Sequence, residues 1–240
     1  MLMKMMTYKN KICVITPTIR PEGLKLVEKA LDEQTFTDFD WIIGSSFPPK
    51  CDWADWVEDK FKGGYWTLNR IYNKLIKATD APLIVSWQDF TYGDDTILER
   101  LWEHYQKNNK SLVSVTGHKY LDDTFALESW FDPRRTNSLF TETSFNNVEW
   151  NLCSCPRKAL VEIGGFLEDL DFEGFGMDGY CVNQRLNELG YKFFLDNEVK
   201  SYSLMHGRVD KWEKNNLIHR WGDIVQKYGD KWLNLNYLKK

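Results

Sequence analysis

The sequence predicts an α/β protein in which helices flank a central, mostly parallel sheet. Short β-branched apolar runs alternate with amphipathic helical stretches through the first half, and the main polar motifs follow directly after those runs. The chain has 240 residues, of which 42% are hydrophobic, which is enough to close one sizeable core. We therefore expect one domain over residues 1–240.

The first half is predicted as alternating strands and helices. Ile12-Cys-Val-Ile15 and Trp41-Ile-Ile43 indicate two buried strands, and apolar residues spaced at helical intervals between them indicate a helix. The same pattern predicts a helix over 68–77, a strand over 83–87, a helix over 97–105 and a strand over 112–115. These elements make up a first half of the domain over about 12–117.

The second half is predicted to be less regular. Residues 119–150 lack clear periodicity and are interpreted as an elaborated surface region on the acceptor side. Pro156 and Gly164-Gly165 bracket a short helix, and a helix from Asp178 to Gly190 precedes a strand at 191–195. The second half of the domain covers about 118–207, and an amphipathic helix falls in about 208–240.

The charge, the apolar runs and the cysteines of the sequence argue against several classes of protein. The net charge of −4 gives no sequence-wide positive field that would hold a polyanion. No apolar run approaches the roughly 20 residues that cross a bilayer, and no secretion signal is visible. The five cysteines form an odd set without metal or disulfide spacing. We expect a cytoplasmic protein with reduced thiols.

Asp89 in Trp87-Gln-Asp89 is the first candidate site residue. The preceding strand carries it to the carboxyl edge of a parallel sheet, where open α/β folds bind ligands. A carboxylate there can hold Mg²⁺ or Mn²⁺, which would neutralise a departing diphosphate. An ordinary turn or helix-capping role explains Asp89 equally simply.

Asp178, His206 and Arg208 are the other candidates. Asp178 follows two glycines and starts a helix, so it is either a general base for an acceptor hydroxyl or an N-cap. His206 is either a third metal ligand or a structural histidine, and Arg208 could bind a phosphate bidentately.

Together these segments resemble the GT-A glycosyltransferases of family 2, from about Ile12 to His206. The resemblance rests on four motifs: Val14-Ile-Thr-Pro-Thr-Ile-Arg20, Leu68-Asn-Arg-Ile-Tyr-Asn73, Ile163-Gly-Gly-Phe-Leu-Glu-Asp169 and Gly174-Phe-Gly-Met-Asp178. It implies an inverting, metal-assisted hexosyl or related transferase that uses a nucleotide-diphosphate sugar, first of all a UDP-sugar.

The resemblance also assigns roles, with a nucleotide-sugar-binding half at about 12–117 and an acceptor and catalytic half at about 118–207. It makes Asp178 the catalytic base, and it implies a metal site of Asp89 and His206 with Mn²⁺ or Mg²⁺. The implied donor-binding residues are Thr16, Thr18, Arg20, Asn73, Gln88, Asp89 and Arg208. The acceptor contacts are Trp130, Phe175, Gly176 and Met177, with Arg134, Arg135 and Trp150 in the same irregular region.

Two positions depart from the family pattern. Trp87 stands where the first aspartate of the metal motif belongs, and the acid that usually follows the second strand is replaced by Gly44-Ser-Ser46. These departures keep a second hypothesis open, a non-catalytic module that binds a sugar nucleotide or a glycan. The acceptor is a glycan or another hydroxyl-bearing molecule. A hydroxymethylated base in DNA is a further alternative, for which the basic residues would be Lys60, Lys62, Arg134, Arg135 and Lys211.

Overall fold

The computed structural model describes residues 10–60, 67–172, 179–205 and 236–238, and they form one mixed α/β unit around a ten-stranded sheet. The strands are β1 (Ile12–Pro17), β2 (Phe39–Ser45), β3 (Asp55–Glu58), β4 (Leu83–Trp87), β5 (Thr91–Gly93), β6 (Ser111–Tyr120), β7 (Glu128–Trp130), β8 (Phe140–Thr143), β9 (Leu152–Pro156) and β10 (Lys192–Leu204).

The sheet has the order β3-β2-β1-β4-β9-β6-β10-β5, with β7 beside β6 and β8 beside β10. β3, β2, β1 and β4 are mutually parallel. β9 lies antiparallel between β4 and β6, and β10 is parallel to β6. β6 and β10 therefore run in the same direction as β1 and β4, and the carboxyl ends of these strands share one edge.

Six helices flank the sheet in the described residues: α1 (Leu24–Asp32), α2 (Leu68–Lys77), α3 (Ile97–Lys107), α4 (Arg157–Glu162), α5 (Asp169–Phe172) and α6 (Gly179–Glu188). Alternation along β1 sends Cys13 and Ile15 to one core and Ile12 and Val14 to the other. The first core includes residues of α2, α4 and α6, and the second includes residues of α1 and α3. Both faces of the sheet are covered.

The carboxyl half of β6 and the end of β10 form an extension with β5 and β7. The β6–β10 register shifts between Asp196 and Ser201. Past this bulge the backbones come very close, because a Cβ added at Gly117 would lie 1.9 Å from the carbonyl oxygen of Ser201. Gly117 is therefore required at this crossing.

The predicted fold class, a helix-flanked and mostly parallel α/β sheet, is confirmed. Several details differ from the prediction. Strands β3, β5 and β9 and helix α5 were not predicted, β6 and β10 are longer than predicted, and residues 119–150 contain β7 and β8. The predicted C-terminal helix at 208–240 lies outside the described residues apart from 236–238. No described helix is long and apolar enough to span a membrane.

Candidate functional site

The site lies where the strand order reverses. In the sheet, β2 lies on one side of β1 and β4 lies on the other. The loops that follow the neighbouring strands β1 and β4 therefore lead away in opposite directions. In open α/β sheets this switch point forms a crevice that binds ligands. Thr18 and Arg20 follow β1, and Asp89 follows β4, so all three lie at this crevice.

The carboxylate of Asp89 joins the two loops. Its Oδ2 accepts from the Thr18 hydroxyl at 2.5 Å and from Arg20 Nε at 3.1 Å, and its Oδ1 accepts from Arg20 Nη2 at 2.6 Å. The Asp89 side chain is 3% exposed and the Arg20 side chain is 19% exposed. A mostly buried bidentate pair of this kind combines charge with fixed geometry.

The Phe90 ring packs against the guanidinium of Arg20 and helps to hold the Arg20–Asp89 pair in place. The centre of the Arg20 guanidinium lies 5.2 Å from the Phe90 ring centroid. Phe90 has a φ of 58°, which a bulky residue adopts only where its surroundings impose it. Its N–H donates to the carbonyl of Gly23 at 3.2 Å, and a Cβ at Gly23 would meet the Phe90 ring at 2.5 Å. Strained backbone of this kind concentrates at functional sites.

Thr16 and Trp87 are both buried in the packed interior of the protein. The Thr16 hydroxyl donates to the carbonyl of Trp87 at 2.8 Å and accepts from the indole of Trp41 at 2.9 Å, and the side chain is buried. The Trp87 indole is buried and donates to the carbonyl of Thr91 at 2.9 Å. Trp87 is thus a core residue at the position where the family 2 motif has its first metal-binding acid.

Asn73 on α2 holds the Gly-Gly-Phe segment. Its Oδ1 accepts from the Phe166 N–H at 2.8 Å, and its Nδ2 donates to the Phe166 carbonyl and to Glu168, both at 2.9 Å. Gly165 has a φ of +86°, and a Cβ there would lie 2.3 Å from Asn73 Oδ1. Asn73 therefore fixes the backbone that leads towards residues 173–178, and the predicted donor contact remains a prediction.

Asp171 binds the first turn of α2. Its carboxylate accepts from the backbone N–H of Asn69 at 2.9 Å, from the Asn69 amide at 3.0 Å and from the backbone N–H of Arg70 at 2.8 Å. Negative charge is favourable at a helix N-terminus. Burial nevertheless raises the pKa of Asp171 to about 7, and the nearby Glu168 adds to the increase. No local pattern in the sequence indicates this contact.

Gln88, predicted to bind the donor, precedes Asp89 in the loop after β4, and Trp130, predicted to bind the acceptor, lies on β7. The Gln88 N–H donates to the carbonyl of Asn151 at 2.9 Å, and the Gln88 side chain is half-buried. Trp130 on β7 is 41% exposed. Trp150, predicted in the same region, lies in the core instead, with its indole donating to Asn183 at 3.0 Å.

Arg134 and Arg135, predicted as acceptor or DNA contacts, bind within the protein. Arg134 pairs with Asp132 at 2.5 Å and with Glu149 at 3.1 Å. Arg135 donates to the backbone carbonyls of Thr116, Val199 and Asn197. Both guanidinium groups therefore have internal acceptors, which weakens the DNA alternative.

Eight predicted residues fall outside the described part of the chain: the base Asp178, the ligand His206, the phosphate contact Arg208, the acceptor residues Phe175, Gly176 and Met177, and the basic residues Lys62 and Lys211 of the DNA alternative. Among the residues that are described, no group of three or more His, Cys, Asp and Glu side chains could hold a metal ion. The crevice thus brings together Thr18, Arg20 and Asp89 of the predicted set.

Comparisons with known proteins agree with this fold. No protein-family model matches the sequence, and a search of curated proteins found no match. The solved structure of S. aureus TarS 1–349 in complex with UDP superposes with a TM-score of 0.62 at 9% identity, over 92% of this chain and 73% of that chain. TarS 1–349 in complex with UDP-GlcNAc gives 0.62 at 10% identity, over 84% and 60%. The shared feature is the fold.

Proposed function

We propose that the chain is a glycosyltransferase that moves a hexosyl or related group from a nucleotide-diphosphate sugar to an acceptor hydroxyl. The observation that carries this proposal is the convergence of Thr18, Arg20 and Asp89 at the switch point of the sheet. The TarS structures have the same fold and contain UDP or UDP-GlcNAc. A UDP-sugar is therefore the donor to test first.

Arg20 is the group that we assign to the donor diphosphate. A guanidinium presents five donors in a rigid fork, and Asp89 together with the Phe90 ring orients that fork. Such a preset cation can stabilise the charge that develops on a departing diphosphate. Thr18 keeps Asp89 in place through its hydroxyl, and this contact makes Thr18 a positioning residue.

The predicted metal site does not fit the described residues as they stand. Asp89 is the only predicted ligand among them, and three of its lone-pair positions already accept hydrogen bonds from Thr18 and Arg20. A divalent ion would need Asp89 and His206 together, with displacement of Arg20 from Asp89. When bound, Mn²⁺ or Mg²⁺ would neutralise the diphosphate, and metal assistance remains a prediction.

Asp178 is proposed as the general base. In an inverting transfer a carboxylate takes the proton of the acceptor hydroxyl while that oxygen attacks the anomeric carbon, opposite to the departing diphosphate. The assignment rests on the resemblance of Gly174-Phe-Gly-Met-Asp178 to the family motif.

A non-catalytic sugar-nucleotide module is the second candidate. The buried Trp87 and the Arg20–Asp89 pair favour it, because both features reduce the capacity of this site to bind a metal ion. Titration calorimetry with UDP and a donor-hydrolysis assay with UDP-GlcNAc, each with and without Mn²⁺, test both candidates. UDP binding with turnover supports the transferase, UDP binding without any turnover supports the module, and no binding of UDP, nor of GDP or dTDP in the same titration, contradicts both.

A further inference from the structure

A pocket of about 140 Å³ lies beside the crevice, between the carboxyl halves of β6 and β10, strand β7 and the segment that leads into β9. The side chains that matter for its chemistry are His118, Lys119, Trp130, Glu149, Ser201 and Ser203. Pockets for drug-sized ligands measure about 300–1,000 Å³, so this volume suits a single ring.

Two hydrogen bonds connect the pocket to the loop that carries Asp89. The carbonyl of Asn151, whose residue lines the pocket, accepts from the Gln88 N–H at 2.9 Å. The hydroxyl of Ser203, on the opposite wall, lies 3.1 Å from the hydroxyl of Thr91. Asp89 therefore lies in a short segment with both ends attached to the walls of this pocket.

The charged groups of the pocket balance one another. Arg134 pairs with Asp132 and Glu149, and Asp132 also accepts from the Arg134 backbone N–H at 2.9 Å. The His118 Nδ1 accepts from the backbone N–H of Asp132 at 3.0 Å, so its Nε2 carries the proton of the neutral ring. Burial, and then the charge of Lys200, lower the pKa of His118 and favour that neutral form. A balanced lining does not favour a polyanion.

The remaining groups suit a polyhydroxylated ring. Trp130 offers a 41% exposed indole, with Lys119 Nζ at 5.6 Å from its ring centroid. Ser201 and Ser203 have hydroxyls that both donate and accept, and Glu149 has a half-exposed carboxylate. A sugar ring has C–H groups on its faces, which pack on an indole, and hydroxyls on its rim.

We propose that this pocket binds a neutral sugar ring, stacked on Trp130 and hydrogen-bonded by Glu149, Ser201 and Ser203. We further identify that ring as part of the acceptor, which would make the acceptor a glycan. This second step rests on the proposed transferase function. The binding of a neutral sugar is independent of that function. A phosphorylated acceptor is the alternative that the same experiment tests.

Saturation-transfer difference NMR with methyl glycosides of glucose, galactose and N-acetylglucosamine tests the pocket, and inorganic phosphate serves as a ³¹P-observed competitor. The matched pair of variants is Trp130→Ala and Trp53→Ala, because Trp53 is 43% exposed and lies far along the sheet before β3. We expect at least one glycoside to bind through its ring protons. Trp130→Ala should weaken that binding by about five- to tenfold, and Trp53→Ala should leave it unchanged.

Glu149→Gln and Ser203→Ala give a second, independent check, since neither removes the indole. Each should weaken the same glycoside while remaining folded at the temperature of the NMR measurement, as thermal unfolding of each variant would show. Absence of binding by all three glycosides, equal loss in Trp53→Ala, or displacement of the glycoside by phosphate would overturn the inference. Glycoside binding without UDP binding would support the sugar pocket and contradict the proposed UDP-sugar donor. UDP-GlcNAc turnover without glycoside binding would support the donor and contradict the sugar pocket.

Discussion

Asp89 accepts two hydrogen bonds from the guanidinium of Arg20, at 2.6 Å to Nη2 and 3.1 Å to Nε, across 69 residues of chain. The pair connects the loop after β1, which carries Arg20, to the loop after β4, which carries Asp89, at the switch point of the sheet. Its consequence is twofold: the loops after two strands are held together, and a cation is fixed where the donor diphosphate is proposed to bind.

The pair should contribute to stability as a coupled unit. Asp89→Ala leaves a largely buried cation without its partner, so we expect a loss of about 2–4 kcal/mol in the free energy of unfolding. Arg20→Ala should cost a similar amount, and the double variant clearly less than the sum, with a coupling of about 1–3 kcal/mol. Urea unfolding of the four proteins measures this cycle.

The exposed pair of Lys11 and Asp38, with side chains 51% and 39% exposed, is the matched control. Its cycle should give a coupling of at most about 1 kcal/mol. Equal coupling in both cycles would contradict the special role of the buried pair. UDP calorimetry on Arg20→Lys then separates charge from geometry, because lysine keeps the charge and loses the bidentate fork.

Asn73→Ala should destabilise the protein by about 2–4 kcal/mol, because it leaves the buried N–H and carbonyl of Phe166 without partners. Asn147, exposed and bonded to the Thr143 hydroxyl, is the control, and Asn147→Ala should change stability by less than about 0.5 kcal/mol. Thermal unfolding of both variants makes the comparison. A small effect at Asn73 would mean that the Gly-Gly-Phe segment is held by other contacts.

The sequence predicted the regular part of the sheet because local patterns define it. Ile12, Val14 and the neighbouring apolar residues of β1, β2 and β4 are buried as their β-branched runs indicated. The apolar stripe of α2 was visible for the same reason, since Leu68, Ile71 and Leu75 all face the core. Strands and helices of this kind carry their burial pattern in consecutive residues.

The elements that sequence reasoning missed depend on distant partners. β10 continues past Leu195 through Asp196, a buried acid that interrupts the apolar pattern and is paired with Arg100 on α3 at 2.9 Å. β9 consists of Leu-Cys-Ser-Cys-Pro, which lacks β-branched residues. The Arg20–Asp89 pair and the Asp171 contact with α2 link residues 69 to 102 apart, and no local pattern indicates them.

Asp178→Asn should retain UDP binding and lose transfer. A positioned general base contributes about 10²–10⁴-fold to a rate, so the turnover number should fall by that factor, while the UDP dissociation constant changes little. Asp123→Asn, at an exposed loop position, is the control and should leave both quantities unchanged. Full transfer by the Asp178 variant would remove its assignment as the base.

Asp171 should make stability fall as the pH rises. Its pKa in the folded protein is about 7, above the roughly 3.9 of an unfolded aspartate, so the folded state binds more protons between these values. The stability that the protonated form contributes is present below about pH 4 and is lost as the pH increases through 7. Asp171→Asn removes this titration at the cost of one acceptor for the N–H groups of Asn69 and Arg70.

The free energy of unfolding of wild type minus that of Asp171→Asn should therefore decrease steadily from about pH 5 to about pH 8, as urea titrations at each pH would show. Asp123→Asn should give a flat difference over the same range. A difference that stays flat from pH 5 to pH 8 and falls only below about pH 4 would mean that the three donors from Asn69 and Arg70 outweigh burial, so that the carboxylate is held ionised at the start of α2. In that case Asp171 would act as a permanent charged cap of the helix, and the pH dependence of the fold would have to arise elsewhere.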